Sequence, residues 1–158
     1  MKNLIKVINL FLIILFMTGC SKAIIKSDSD PNTNLAELKK FYVQKLPADE
    51  RGLEKIIAGK LNEFGFQATS GIDAAPADPV DVVVTYKDRW MWDITMYMLE
   101  INIEFHNPDS DFVFASGKSY RTSIVRKSPE EMIDEVLLDM FAGKVYLLEK
   151  KVDDNKEE

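Results

Sequence analysis

The sequence predicts an α+β two-layer sandwich, a mainly antiparallel sheet in the order β-α-β-β-β-β-α with two helices on one face. Three observations predict it. Residues 98–105 alternate strictly, with Leu99, Ile101, Ile103 and Phe105 on one side and Glu100, Asn102, Glu104 and His106 on the other. That is a strand with one buried and one wet face. Residues 107–111, Asn-Pro-Asp-Ser-Asp, carry turn chemistry and lead into a further strand at 112–122, so neighbouring strands fold back as an antiparallel meander. Two segments, 53–64 and 129–141, repeat their apolar residues at helical spacing instead. Two amphipathic helices and a one-faced sheet can bury each other only as two layers.

The first element in chain order is not part of the domain. Lys2 and Lys6 precede an unbroken apolar run at 10–17, far short of the ~20 residues a membrane-spanning helix needs. Residues 1–19 therefore read as a secretory signal peptide. Thr18-Gly19-Cys20 at its end resembles the bacterial lipoprotein processing signal, which implies cleavage before Cys20 and acylation of its thiol. The alternative is an ordinary signal with an incidental cysteine. Cys20 is the only cysteine, so acylation would leave no thiol for a disulfide or a metal. Each buried CH₂ contributes ~0.8 kcal/mol, and several chains on one residue make a lasting anchor. Ser21 rather than Asp follows the cysteine. By resemblance to Gram-negative lipoproteins, this implies export to the outer membrane, facing the periplasm.

Residues 20–38 read as the lipidated cysteine and a flexible tether, because 21–34 are rich in Ser, Asp and Asn. A single domain is expected over 39–148. Its first strand, 39–46, sets Phe41 and Val43 against Tyr42 and Gln44, and Pro47 ends it. Asp49 is the expected N-cap of a helix whose apolar stripe is Leu53, Ile56, Ile57, Leu61 and Phe64. Gly59 inside that helix is expected to let it lie close to the sheet, and Gly65 to stop it. A strand at 66–70, a surface loop at 71–79 and a strand at 80–86 follow. The first strand–helix–strand unit is expected to be a right-handed crossover if its two strands lie in the same sheet. Ser128-Pro129-Glu130-Glu131 joins a capping box to a proline at the first helical position, opening a helix striped by Ile133, Val136, Leu137, Met140 and Phe141. Gly143 is its expected stop. Residues 145–148 read as a further turn or a short edge strand, and 149–158 as a disordered charged tail.

The chain has 158 residues and a formal net charge of −6. The signal removes two lysines and no acid, so the mature chain is more acidic still. Such a field repels nucleic acid. The seven glycines form no phosphate-cradling loop. The one histidine, His106, cannot make a two-histidine metal site, and reads as a solvated surface residue. Glu100 and Glu104 could in principle act as paired carboxylates on a sugar; they read more simply as the wet face of their strand. No catalytic residue, metal ligand or cofactor is assigned.

Residues 88–98 hold both tryptophans and three of the seven methionines. On one reading, Trp90 and Trp92 close an end of the core while Asp88, Arg89 and Asp93 pair around a corner. On the other, the corner binds a partner, since aromatic and Met-rich surfaces suit proteins, peptides and acyl chains. The meander returns residues 119–127 to the same end, so the candidate patch is Trp90, Trp92, Asp93, Tyr120, Arg121, Arg126 and Lys127. Its basic members would either lock the corner internally, Arg121 onto Asp93, or accept an anionic group. If the first strand runs parallel to the second, the tether also leaves at this end, and the patch faces the membrane.

The "alanine, proline, aspartate" loop, Asp81-Val82-Val83-Val84-Thr85-Tyr86, the amphipathic strand, the turn, the strand ending at Gly117 to Arg121 and the capped helix together resemble the domain-of-unknown-function 4136 envelope lipoproteins over about residues 39–143. Ser116-Gly117-Lys118-Ser119-Tyr120-Arg121 stands where that family usually has Trp-Arg-Gly. The resemblance implies a small envelope lipoprotein and carries no catalytic residue across. Three functions follow for weighing. The first is a non-enzymatic binding or assembly module held at the membrane by Cys20, with an envelope protein as partner. The second is a lipid or glycolipid carrier or sensor, which needs an apolar cavity under the sheet. The third is a small hydrolase using Ser116, Ser119 or Ser123 with a carboxylate, though nothing in the sequence pairs those serines with a base.

Overall fold

The computed structural model describes residues 22–141 other than 36, 75 and 77. The expected signal peptide, Cys20, Gly143, the segment 145–148 and the expected charged tail lie outside the described residues. The elements are β1 (Ala23–Ser29), β2 (Lys40–Gln44), α1 (Leu53–Glu63), β3 (Gln67–Gly71), β4 (Val82–Asp93), β5 (Thr95–His106), β6 (Val113–Arg121), a 3-10 turn (Ser123–Val125) and α2 (Pro129–Met140). They form one open six-stranded sheet in the order β1-β6-β5-β4-β2-β3, with β2 parallel to both β3 and β4 and every other pair antiparallel. The sheet and two helices make the α+β sandwich that the periodicity predicts.

Both helices bury their stripes in one core. Leu53, Ile57 and Leu61 of α1, Met132, Ile133, Val136 and Leu137 of α2, and Val82, Val84, Ile101, Ile103 and Phe105 of the central strands are all fully buried. Phe141, just past α2, has its ring 4.9 Å from Phe66 and 5.7 Å from Phe105. Ser128 Oγ accepts from the Glu131 N–H while Glu131 Oε2 accepts from the Ser128 N–H, so the capping box forms as read. Gly65 adopts φ +88°, the left-handed stop expected after α1.

The glycine that brings helix and sheet together is Gly117, not Gly59. A Cβ on Gly59 would meet nothing within 4 Å, whereas one on Gly117 would lie 2.6 Å from Val136 Cγ1 and 2.7 Å from Met140 Sδ. The Asp49 carboxylate does satisfy free amides at the start of α1, accepting from the Arg51 and Leu53 N–H groups at 2.7 Å each. The residue at the cap position itself is Gly52, in the left-handed region.

Three further expectations are corrected. Ala23–Ser29 is no tether: it is an edge strand paired with β6, Ala23 opposite Arg121 and Ser29 opposite Ala115. The tryptophan stretch is no corner: β4 runs unbroken to Asp93 and pairs with β5 down to Asp93 opposite Thr95. His106 is buried, at 9% exposure, rather than solvated. Thr85 Oγ1 sits 2.8 Å from its Nε2, and the Asp111 carboxylate 3.1 Å from its Nδ1.

Candidate functional site

The β4–β5 hairpin is longer than the core it covers, and its far half forms the candidate site. Strand pairing persists beyond the last fully covered positions because backbone hydrogen bonds need no core. A register irregularity falls between Arg89 and Trp90, and the large apolar side chains of β4 become exposed only beyond it. Just past the irregularity Trp90 is still covered: it packs against the core, its indole N–H donates to Asp88, and the Arg51 guanidinium lies 4.0 Å above its ring. Beyond it, Trp92 faces Met96 across the hairpin. Trp92 is 69% exposed and Ile94, at the tip, 84%. Of the two tryptophans, then, only Trp90 closes the core.

Ile94 is unusual in a second respect. Its φ is +60°, a left-handed conformation that suits Gly or Asn and that a β-branched side chain adopts at a penalty. The tip thus holds a residue disfavoured there by both conformation and solvation.

The root of the hairpin is fixed by a buried polar knot. Tyr86 Oη donates to Asp49 Oδ2 at 2.8 Å and accepts from the Leu46 N–H at 3.2 Å. Burial alone would raise the Asp49 pKa, but the Arg51 amide, the Tyr86 hydroxyl and the Leu53 amide outweigh it and hold the carboxyl below its ordinary value. Burial also drives the Tyr86 phenol well above its ordinary pKa, so it stays a hydrogen-bond donor at any physiological pH.

The tip is tied down by Arg126. Its Nη1 donates to Thr95 Oγ1 at 2.8 Å, its Nε donates to the Ser123 carbonyl at 2.8 Å, its Nη2 lies 3.8 Å from Asp93, and the guanidinium sits 4.9 Å above the Tyr97 ring. One side chain thereby holds the 3-10 turn against the hairpin and places Ile124, 72% exposed, at the same end. The start of the described chain is there too: the Lys22 N–H donates to Thr122 Oγ1 at 3.3 Å, and the Thr122 N–H to the Lys22 carbonyl at 3.2 Å.

Of the residues singled out in the sequence, Trp92, Asp93 and Arg126 meet at the tip. Arg121 and Lys127 do not reach it. Both bind Glu135 of α2, Arg121 through Nη2 at 2.6 Å. Burial would raise the Glu135 pKa, but Lys127 and Arg121 together hold it down. The expected Arg121–Asp93 lock is replaced by Arg126–Asp93 and Arg121–Glu135, so the basic cluster is already matched by acids. Tyr120 pairs in register with Glu100 and Ile24 across the sheet. The route by which the sequence set the start of the first strand at this end fails. β2 does run parallel to β3 and β4, but Phe41 pairs with Val82, which puts the start of β2 at the end opposite the tip. It is β1, antiparallel to β6, that begins beside the hairpin.

Sequence reasoning missed the opposite end. Thr85, His106 and Asp111 stand in the order hydroxyl, imidazole, carboxylate, the order of an acyl-transfer relay. The Asp111 side chain is 94% exposed, so it cannot hold the imidazole as a buried orienting acid would. Among the described residues no group of three or more His, Cys, Asp or Glu is placed to hold a metal ion. Glu100, once weighed as half of a catalytic pair, is bound by Lys118 at 2.9 Å and Arg89 at 3.1 Å.

No family model matches the sequence, and no curated protein matches it either. Solved structures do match the fold. A PelC dodecamer from Paraburkholderia phytofirmans superposes at TM-score 0.55, with 15% identity, over 75% of this chain and 96% of that one. A variant of the same PelC dodecamer in another crystal form gives 0.56, at 14% identity, over 78% and 100%. At such identities the likeness is one of fold. A domain-of-unknown-function 4136 protein from Bacteroides thetaiotaomicron overlaps more loosely, at TM-score 0.43 and 10% identity over 81% of this chain and 96% of that one. The family resemblance read from the sequence thus remains a resemblance, and what is established is a fold this chain shares with PelC.

Proposed function

We propose that this chain is a lipid-anchored protein of the bacterial cell envelope, held at the outer membrane by Cys20 and facing the periplasm, and that it acts as a non-enzymatic binding or assembly module. One observation carries the reading. Lys22, two residues after Cys20, is hydrogen-bonded into the sheet at the end that carries the exposed hairpin. An acyl anchor on Cys20 would therefore hold a rigid body in one orientation, rather than swing it on a long tether.

Two features support a module over a carrier or a hydrolase. Gly117 admits Val136 and Met140 so closely that one added carbon would not fit, and the side chains under the sheet are fully buried. A carrier needs room there. Of the serines weighed as nucleophiles, Ser119 is fully buried, and its hydroxyl has no hydrogen-bond partner among the described residues. PelC is a dodecamer, and self-assembly is one form this module could take. The sheet edges constrain it. Asn62 donates to the Ala68 carbonyl and accepts from the Ala68 N–H, which occupies the first outward-facing residue of the short β3 edge. The β1 edge, seven residues long, is the longer one open to a partner strand.

Mass spectrometry of Cys20 in export-competent cells tests the anchor, and a crosslinked pull-down of the lipidated protein from envelopes tests the module. A thioether-linked diacylglycerol on Cys20 and one stoichiometric protein partner, or a second copy, are expected. An unmodified thiol refutes the anchor. Ester turnover abolished by His106→Ala refutes the non-enzymatic half.

A further inference from the structure

We propose that the tip of the β4–β5 hairpin, with Trp92, Ile94 and Met96, together with Ile124, is a lipid-docking wedge that enters the membrane to which Cys20 is anchored; this rests on the lipid-anchor reading above. Its first support is exposure. Trp92, Ile94, Met96 and Ile124 are 69%, 84%, 51% and 72% exposed, and they converge on one end because Arg126 clamps the 3-10 turn to the hairpin. Apolar surface gathered at one point marks an interaction site, and Trp is the residue that favours the boundary between head groups and acyl chains.

The second support is conformational. A turn placed in water would gain by having Gly or Asn at a φ of +60°. Ile94 occupies that position almost fully exposed. Strain kept at an exposed apolar residue points to a role that water does not explain.

The third support is reach, and it selects lipid as the occupant. Glu100 pairs with Tyr120, which sets Thr122, and with it Lys22, level with about Met98. The tip at Ile94 then lies four residues further along the strand, about 13 Å at the ~3.3 Å rise of a strand. Two residues from Lys22 back to Cys20 cover at most about 7 Å. The tip thus protrudes about 6 Å past the furthest point the lipidated cysteine can occupy. Interfacial elements bury their apolar faces about 5–10 Å into a bilayer, so with Cys20 at the surface the tip falls within that depth. The clustered cations of this end are already paired, Arg126 with Asp93, and Arg121 and Lys127 with Glu135.

The test uses the acylated full-length protein reconstituted in vesicles of phosphatidylethanolamine and phosphatidylglycerol. Acylation occupies Cys20, so Ile94→Cys supplies one free thiol for an environment-sensitive fluorophore. Asp109→Cys, in the turn at the other end, is the reference. The label at 94 is expected to shift to the blue, to lose at least threefold in iodide quenching relative to the label at 109, and to be quenched by a shallow spin-labelled lipid. Equal iodide access at 94 and 109 in protein whose Cys20 is shown by mass spectrometry to be acylated overturns the wedge. Trp92 emission in an unlabelled Trp90→Phe variant repeats the measurement without a label, and emission unchanged between detergent-free solution and vesicles overturns it equally. Absence of acyl groups on Cys20 in the mass spectrum would instead mark failure of the anchor itself.

Discussion

Two glycines offer a paired experiment on how the helices sit against the sheet. Gly59 lies on the exposed side of α1, with nothing within 4 Å of where a Cβ would go. Replacing it with Ala restores helix propensity and restricts the unfolded chain, and should stabilise by about 1 kcal/mol. Gly117→Ala gains a similar restriction of the unfolded chain but sets its methyl 2.6 Å from Val136 Cγ1 and 2.7 Å from Met140 Cγ. Met140 can swing away. Val136 cannot readily, because a β-branched side chain in a helix has one strongly preferred rotamer. The helix must therefore lift, an overpacking penalty of about 1–3 kcal/mol. Urea unfolding of the mature chain carrying Cys20→Ser, followed by circular dichroism, should move the midpoint up for Gly59→Ala and down for Gly117→Ala. On a Val136→Ala background the Gly117→Ala loss should shrink by about half or more, since contacting residues couple. A neutral Gly117→Ala, or the same loss on both backgrounds, would refute the close-approach argument.

Three more outcomes follow from the geometry. Ile94→Gly should stabilise the delipidated domain by about 1 kcal/mol in the same urea assay by relieving the left-handed turn, although it removes an apolar residue. Tyr86→Phe should destabilise by about 1–3 kcal/mol, leaving Asp49 Oδ2 and the Leu46 N–H without their buried partner. Asp49 and Glu135 are both held below their ordinary values of 3.8 and 4.5. Their contribution is therefore fully present above those values and lost as the pH falls through the depressed ones. Stability measured against pH should be flat above about pH 5 and decline below about pH 4, and Glu135→Gln should flatten part of that decline. An unchanged acid limb in Glu135→Gln would count against the Arg121–Glu135–Lys127 cluster.

Where the sequence was legible, the structural cause was local or periodic. Leu99, Ile101, Ile103 and Phe105 alternate because one face of β5 meets the helices. Ser128, Pro129 and Glu131 announce α2 because its free amides are satisfied by residues within one turn. β1 was missed for the opposite reason. Six of its seven residues are exposed, so no alternation marks it, and it is held by backbone pairing to β6 almost a hundred residues away. The outer half of the hairpin was misread because the charges at Asp88 and Arg89 interrupt the apolar run, while the ladder continues past the core. Glu135 gave no signal as the partner of Arg121, since ion pairs between a strand and a helix leave no spacing to read. The burial of His106 depends on Thr85, 21 residues away on the neighbouring strand.

The two ends of the sheet obey different rules, and the difference bears on function. At the far end Asn107 Oδ1 accepts from the Asp109 and Ser110 N–H groups, and the left-handed position is taken by Asp111, a residue type that tolerates it. Local chemistry and conformation agree there, as they do in most of a folded chain. At the hairpin tip they disagree: the strand outruns its core, an isoleucine takes a glycine's conformation, and a tryptophan is left in water. Disagreement of this kind between local preference and global structure gathers at functional positions. The rigid root below, Asp49–Tyr86–Leu46 with Arg51 on Trp90, gives the tip a fixed direction. The pairing of Lys22 with Thr122 would give an anchor on Cys20 the same one. A tip selected only for folding would have lost Ile94 to Gly or Asn, and that makes the stability gain expected of Ile94→Gly, set against the membrane contact proposed for this tip, the sharpest single measure of what this end of the molecule is for.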